Sequence, residues 1–483
     1  MTAVSAPATA SPTVPPTTTD PGPAGLSTLA LITLLLGPFL SMLDFFIVNV
    51  ALPTIGHDLH TTTATLELVV AGYGIGYAVL LVLGGRLGDA FGRRRLGMGA
   101  MAAFTIASLG CGIAPTATIL VIARVVQGAS AAMMVPQSLA TIQAATSGHH
   151  RARAMGMYGA TAGIAAAAGQ LLGGVLVGAN LFDWGWRPIF LVNVPVGVVG
   201  LILTRRVVPA TRSPHPARID GRGTVLLAVL LTALLLPLLE GRSLGWPWWG
   251  WVSLAAVLPL TAVFVAVERR EEQAGRLPLL PPMLLRVSSI RRGLLIAVPF
   301  FAGFGGFMFT IALVLQTALH EGALEAGLAL TPMAVAFLVS SLLSPRLFTR
   351  HGRPVLAIGS VIQAAGLLAM IGTVLLAWPD VNPMDLAPAM AVVGFGQGLM
   401  MPSLFRVILA DVPPALAGVG GGVMVTMQQS ALALGVATLG SLFLSFPATS
   451  HGAEHGFITL LSINAAIAIG FALATRLLPR RVV

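Results

Sequence analysis

The sequence predicts an all-α polytopic membrane protein with fourteen transmembrane helices, arranged as two six-helix halves and a central extra pair. Three observations predict it. The 483 residues are 56% hydrophobic and only 9% charged, whereas soluble domains average about 25% charged residues. Apolar stretches long enough to span a bilayer recur along the chain. Arginines concentrate in alternate loops. This composition excludes a soluble enzyme with a single anchor.

The apolar stretches give the predicted spans. A bilayer-spanning helix needs about 20 predominantly apolar residues. The stretches that meet this length, to within a few residues, are 27–51, 66–86, 96–114, 117–141, 154–178, 188–204, 223–239, 248–267, 293–317, 323–345, 354–377, 386–408, 418–446 and 457–477.

The arginines support this number of spans. Every one of the 27 basic residues is Arg. With the N-terminus inside, 24 of the 27 fall in inside segments or at inner helix ends, and the exceptions are Arg124, Arg187 and Arg242. Positive charge accumulates on the cytoplasmic side, and one miscounted helix would invert every later loop. The sequence therefore predicts a multi-pass protein of the cytoplasmic membrane with both termini cytoplasmic. The net charge of +10 is attributed to topology and not to nucleic acid.

An internal repeat divides the chain. "RLGDAFGRRRLGMG" (86–99) aligns with "RLFTRHGRPVLAIG" (346–359), and both follow the second span of a half. Two related halves are the plan of secondary transporters that rock about a central site. The Pro- and Thr-rich segment at the N-terminus cannot bury a core and is expected to be disordered. The predicted units are a tail (1–24), a first half (25–206), two extra helices (207–270), a cytoplasmic linker (271–292) and a second half (293–483).

Four further stretches resemble known motifs. They are "LDFFIVNVALP" (43–53), "GRLGDAFGRR" (85–94), "ARVVQGASAA" (123–132) and "WRPIFLVNVPVG" (186–197). In this order they are similar to the major facilitator superfamily, and specifically to its fourteen-helix drug:proton antiporter branch. Phe46 stands where that branch usually has Thr, and Ala90 replaces a usual basic residue. The resemblance implies the major facilitator fold and a drug:proton antiporter.

The fifth span departs from the branch. The antiporter pattern G-P-x-x-G-G appears as Gly169, Gln170, Gly173 and Gly174, with Gln170 at the position of the proline. The glycines still permit close helix packing and bending.

Asp44 is the main candidate for proton coupling. An ionised Asp at the centre of a membrane helix costs about 2.5–3.5 kcal/mol on insertion scales. Because desolvation disfavours the charged form, such a carboxylate can bind and release a proton as its surroundings change. The alternative is a structural hydrogen bond or a position near the interface. Arg124 lies about two turns into its span and would either face Asp44 or extend to the interface. The resemblance implies that both take part in proton relay.

The loop after the second span is a candidate gate. The resemblance implies that Gly85, Asp89, Gly92, Arg93 and Arg94 hold the cytoplasmic side shut by docking on neighbouring helix ends. The alternative is a topology determinant in a solvated turn, and the two roles are compatible.

A few polar or flexible side chains are candidates for contact with the substrate. Glu67 would attract a cationic compound or stabilise the start of its helix through the helix dipole. The amides in the spans would bind substrate or join helices, and methionines would line a pliable cavity or simply pack the core. The candidates besides Glu67 are Gln127, Met134, Asn193 and Gln428.

These observations predict proton-coupled efflux of lipophilic or cationic small molecules by alternating access. One alternative is a dedicated exporter of one endogenous metabolite or self-made antibiotic. A remote one is an integral-membrane enzyme or receptor, although no cluster of catalytic groups is evident and we do not expect an enzyme. Neither cofactor nor metal is predicted, because the paired histidines lie in loops. The expected partners are a small-molecule substrate, protons and the lipid bilayer, with a monomeric protein and no nucleic acid.

Overall fold

The computed structural model describes residues 26–212, 220–241, 244–276, 278–412, 417–447 and 449–478, and every regular element in these ranges is a helix. The predicted disordered tail, 1–24, lies outside the described residues. Fourteen long helices overlap the fourteen predicted spans. They are α1 (Thr28–Asp58), α2 (Thr63–Phe91), α3 (Arg93–Gly112), α4 (Ala117–Ala145), α5 (Gly148–Gly178), α6 (Pro188–Val207), α7 (Gly221–Glu240), α8 (Trp248–Gln273), α9 (Ser288–Ala318), α10 (Ala323–His351), α11 (Pro354–Ala377), α12 (Pro383–Leu409), α13 (Gly420–Leu444) and α14 (Ser450–Ala474).

Twelve of these helices are long and apolar enough, within the described residues, to cross a membrane. The other two are α3 and α5. Helix α3 opens with the arginines 93–95, which lower its mean hydropathy. In α5 the unbroken run of described residues begins at 168, and this part is a shorter apolar helix, Ala168–Gly178. The length and composition of twelve helices therefore support a crossing by each of them. The crossings by α3 and α5 stay predictions from the alternation of inside and outside loops along the sequence.

Helix bounds near the predicted linker differ from the sequence prediction. Helix α8 continues to Gln273, beyond the predicted end at 267, and α9 begins at Ser288 instead of 293. A short helix, Pro282–Arg286, lies between them. The physical reason is that hydropathy locates the apolar part of a helix, whereas the backbone hydrogen bonds continue into its charged ends.

The two halves meet along two pairs of helices. The first half is α1–α6 and the second half is α9–α14. Helix α2 packs against α13, and α5 packs against α10. The second helix of each half therefore contacts the fifth helix of the other half. Small residues permit the approach of α5 and α10, because a Cβ added to Gly327 would lie only 3.0 Å from the Cα of Gly174. We call the end of the bundle where α1 ends and α2 begins the distal end.

Two hydrogen bonds join the halves near the distal end. Gln316 of α9 donates from Nε2 to the carbonyl oxygen of Val50 at 2.7 Å. Ser441 of α13 donates from Oγ to Glu67 Oε2 of α2 at 3.1 Å. Both donors lie in or directly after π-helical turns, at Val314–Ala318 and Val436–Gly440. These contacts hold the distal ends of the halves together in this conformation.

The extra pair is attached to the first half. Leu227 and Leu231 of α7 share a buried cluster with Ala78 and Val82 of α2, and Leu279 of the linker completes it. The linker backbone is held by the extra pair, since Leu280 N donates to Glu268 Oε2 at 2.6 Å and Leu279 N donates to Asp220 Oδ2 at 3.1 Å. The linker is therefore bound to both extra helices before the chain continues into α9.

Candidate functional site

Asp44 and Arg124 lie together inside the first half. Asp44 sits midway along α1 and Arg124 sits in the second turn of α4. Both side chains are fully buried, with 0% exposure. Arg124 Nη1 donates a hydrogen bond to Asp44 Oδ2 and forms an ion pair with it. The structure thus pairs the two groups that the sequence singled out, and Arg124 does not extend to an interface.

The second carboxylate oxygen of Asp44 accepts two amide hydrogen bonds. Gln127 of α4 donates from Nε2 at 2.8 Å, and Asn193 of α6 donates from Nδ2, also at 2.8 Å. Both amides also donate to Ser108 Oγ of α3, at 2.9 and 3.0 Å. Ser108 in turn donates to the carbonyl oxygen of Phe190 at 3.0 Å. Four helices therefore share one closed polar network, in which every donor that reaches Asp44 favours its charged form.

Sequence reasoning missed Ser108. A serine in an apolar span carries little signal by itself, because serines in membrane helices commonly bond their own backbone. Cys111, three residues later on α3, also reaches the network, with its Sγ 3.5 Å from Gln127 Oε1. The network could not be assembled without knowing which helix faces meet.

Arg124 also joins the site to α2. Its Nε donates to the carbonyl oxygen of Val69 at 3.0 Å, and its guanidinium carbon lies 4.5 Å from the centre of the Tyr73 ring. Tyr73 donates from its hydroxyl to the carbonyl oxygen of Ser41 at 2.9 Å. Because α2 packs against α13 of the second half, Arg124 connects Asp44 to a helix of the boundary between the halves.

Two buried polar atoms of the site have no hydrogen-bond partner among the described residues. They are Arg124 Nη2 and Asn193 Oδ1. Unpaired buried polar atoms are uncommon and destabilising, so each one calls for a physical account. Asn193 Oδ1 lies on the amide that already contacts Asp44, and a half-turn of that amide would present an acceptor to a protonated carboxyl group.

A central cavity of about 50 Å³ lies between the halves. Phe45 and Phe46, the neighbours of Asp44 on α1, line it, whereas Asp44 faces the inside of the first half. Among the predicted substrate contacts, Gln428 lines this cavity. The others lie elsewhere: Gln127 and Asn193 bind Asp44, Met134 lines a smaller cavity of about 30 Å³ inside the first half, and Glu67 bonds Ser441.

The glycine-rich part of α5 faces two directions. A Cβ on Gly169 would lie 3.0 Å from the carbonyl oxygen of Leu43, and one on Gly173 would lie 3.0 Å from that of Ile47, so both glycines pack on α1. A Cβ on Gly174 would lie 2.9 Å from the carbonyl oxygen of Ala323 on α10. Gln170, at the position of the missing proline, lines the central cavity.

The predicted gating loop docks within the first half. Asp89 pairs with Arg93 at 2.9 Å. Arg93 Nη1 donates to the carbonyl oxygen of Ala140 on α4 at 3.1 Å, and Arg94 Nη1 donates to that of Val208 at 3.2 Å. Gly92 ends α2 at φ +98°, which favours glycine. Gly85 has open space beside it. The charges thus bind the backbone of neighbouring segments of their own half, and the role of the loop as a gate stays a prediction.

The sequence pattern of the Major Facilitator Superfamily matches residues 34–436. The chain is 36% identical over 428 residues to the probable actinorhodin transporter of Streptomyces coelicolor, covering 88% of this chain and 74% of that protein. It is 31% identical over 459 residues to the methylenomycin A resistance protein of the same organism, covering 95% and 93%. It is 33% identical over 427 residues to the multidrug resistance protein Stp of Mycobacterium tuberculosis, covering 86% and 76%.

Solved structures share the fold. A D-xylose-proton symporter superposes with a TM-score of 0.64 at 17% identity, covering 92% of this chain and 96% of that one. The human organic anion transporter MFSD10 superposes with a TM-score of 0.61 at 16% identity, covering 93% and 98%. The match along the sequence and the shared fold give one conclusion: the chain belongs to the major facilitator superfamily, as its motifs predicted.

Proposed function

We propose that the protein is a proton-coupled exporter of small molecules that works by alternating access. The observation that carries the proposal is the Asp44–Arg124 pair, which is fully buried in the first half and whose acid, Asp44, is adjacent in sequence to Phe45 of the cavity wall. The relatives named as an antibiotic transporter and as an antibiotic resistance protein support the outward direction of transport. In this proposal all fourteen long helices cross the cytoplasmic membrane, both termini are cytoplasmic and the distal end faces outside.

The network around Asp44 suits a group that changes its protonation. Three hydrogen-bond donors reach the two oxygens of Asp44, and this arrangement favours the charged carboxylate. A proton on Asp44 would weaken the attraction of Arg124 and compete with these donors. The unpaired Asn193 Oδ1 then accepts the new O–H after the amide turns. Both protonation states thus have partners in the same site, as a proton carrier requires.

Coupling to the cavity runs through the helices that carry the site. Protonation of Asp44 weakens its attraction for Arg124. Arg124 also contacts α2, through a hydrogen bond to the carbonyl oxygen of Val69 and a cation–π contact with Tyr73. Substrate contacts Phe45 and Phe46 on α1, next to Asp44. Proton and substrate therefore influence each other through the positions of α1 and α2, without sharing one binding position. Only ligands that bind the inward and outward states differently can shift their populations.

The membrane potential supplies enough energy for this cycle. One proton that moves inward through about 100 mV releases about 2.3 kcal/mol. The cavity of about 50 Å³ has room for a few water molecules but not for a drug. The halves must therefore part before substrate enters, which is the motion that alternating access provides.

The test compares two acids on the same helix. In inverted vesicles we expect substrate to release protons from the wild type and from Asp58→Asn, and not from Asp44→Asn. Asp58 is a fair control because it lies at the exposed end of α1, where it pairs with Arg187 at 2.8 Å. Proton release that survives in Asp44→Asn would refute the role of Asp44.

A dedicated exporter of one endogenous compound is the second candidate. It is favoured by the relatives named for a single antibiotic, such as actinorhodin or methylenomycin A. The machinery would be identical, and only the range of substrates would differ. Export assays with a panel of unrelated dyes and antibiotics separate the two, because a dedicated exporter would move one compound and leave the rest.

A further inference from the structure

The wall of the central cavity combines aromatic rings with uncharged amides. Four phenylalanines, four methionines and three glutamines line it together with aliphatic residues, and none of the described lining residues is charged. Asp44 and Arg124 face the inside of the first half, where they bind each other. Glu67 lies at the boundary of α2 and α13, bonded by Ser441. A substrate in this cavity would meet no counter-charge on its wall.

This wall disfavours organic cations. Moving a charge out of water without a partner costs several kcal/mol even after the protein relaxes. A cation above a phenylalanine ring recovers only about 0.5–2 kcal/mol. The methionines offer polarisable contacts but no charge. An uncharged aromatic compound avoids the cost and keeps the favourable ring contacts.

Two aromatic rings that touch across the cavity become available to a planar group once the halves part. Phe46 of α1 and Phe304 of α9 approach to 6.1 Å between ring centres, at an interplanar angle of 70°. One ring belongs to each half, so the two separate when the halves part. An aromatic substrate that enters between them gains ring contacts worth about 0.5–1.5 kcal/mol each.

Two glutamines supply unsatisfied hydrogen-bonding capacity. Gln170 and Gln429 are each only 3% exposed, and the Oε1 atom of each has no partner among the described residues. The Nε2 atom of Gln170 has only the sulfur of Met308, at 3.9 Å. An unpaired buried amide costs about 1–3 kcal/mol, which a ligand would relieve. A hydroxyl group matches either end of an amide, because it both donates and accepts.

We propose that the cavity selects uncharged, planar aromatic compounds that carry hydroxyl groups, and that it rejects organic cations. This inference rests on the proposed export function and narrows its substrate class. Gln170 from the first half and Gln429 from the second would each bind a hydroxyl group, while Phe46 and Phe304 hold the ring.

The test uses three anthracenes that differ in one substituent: hydroxymethyl, methoxymethyl and trimethylammoniomethyl. Binding is measured by fluorescence polarisation on the whole protein in nanodiscs, with empty nanodiscs as the baseline and no proton gradient. We expect the alcohol to bind about tenfold tighter than its methyl ether, which corresponds to one neutral hydrogen bond. We also expect the cation to bind more weakly than either.

Variants assign the effect to the two amides. Gln170→Leu and Gln429→Leu should each reduce the preference for the alcohol over the ether and leave binding of the ether intact. Gln363→Leu is the matched control, because Gln363 is a buried glutamine of α11 with an unpartnered Oε1 that does not line the cavity. The two variants lie on opposite halves, so misfolding of one leaves the other as a test.

The inference is overturned if the cation binds as tightly as the alcohol, or if both leucine variants keep the full preference for the alcohol. A parallel measurement of ligand-induced proton release separates this failure from that of the proposed function. Proton release driven by the cation would overturn the substrate class and leave export standing. The predicted binding order without any proton release would support the class and refute proton coupling.

Discussion

The charge pair at Asp44 and Arg124 permits a double-variant experiment in which stability and coupling separate. Asp44→Asn keeps an oxygen for the donors of Gln127 and Asn193, which both bind Oδ1. It places an amide donor against Arg124 at the other position. Arg124→Gln leaves the Asp44 carboxylate without its charge partner. Removing one member of a buried pair costs about 3–5 kcal/mol, so each single variant should be strongly destabilised.

The combination of both changes should recover much of this loss. In the double variant the glutamine oxygen can accept the bond that the new amide at position 44 offers. We therefore expect a coupling energy of about 2 kcal/mol or more, well above the roughly 0–1 kcal/mol of an exposed pair. Denaturation of the purified protein in detergent measures this energy. Proton-coupled export should stay absent in all three variants, because none retains the pair.

The matched control is the ion pair of Asp58 and Arg187, which joins the end of α1 to the residue before α6. Its side chains are 44% and 28% exposed, so the cycle of Asp58→Asn and Arg187→Gln should give a coupling energy below about 1 kcal/mol. Equal coupling energies for the two pairs would refute the buried geometry. Proton-driven transport by the double variant at position 44 would refute the role of the pair in coupling.

Three further outcomes follow from the structure. Ser108→Ala removes the acceptor shared by Gln127 and Asn193, so we expect a loss of about 1–3 kcal/mol of stability and a shifted pH dependence of export. An unchanged pH profile would place Ser108 outside the proton site. Gly174→Ala should block export, because its Cβ would lie 2.9 Å from a backbone oxygen of α10. The control Gly372→Ala has open space around it and should export normally, so equal export by the two variants would contradict the close packing. Asp89→Asn should change stability by less than about 1 kcal/mol, because its ion pair with Arg93 is partly exposed, and it should slow export if the loop gates transport. An unchanged export rate would leave the loop only its role in membrane topology.

The membrane class, the family and the candidate proton-carrying residues are all encoded in short stretches of the sequence. Long apolar runs, alternate arginine-bearing loops and the motifs around Asp44, Asp89 and Arg124 are all local patterns along the chain. The energetic cost of a charge in lipid makes an intramembrane acid visible without any structure. The same patterns locate helix centres well, but they left the helix ends at 273 and 288 uncertain.

Which polar groups share a site depends on how the helices pack together. The packing places Gln127, Asn193 and Ser108 around Asp44, and it turns Gln170 toward the cavity. The physical reason is that these helices are apolar on nearly every side, so the period of the sequence does not show which face meets protein and which meets lipid. Those contacts depend on close lateral packing at small residues such as Gly174 and Gly327, and that packing exists only once the helices are assembled.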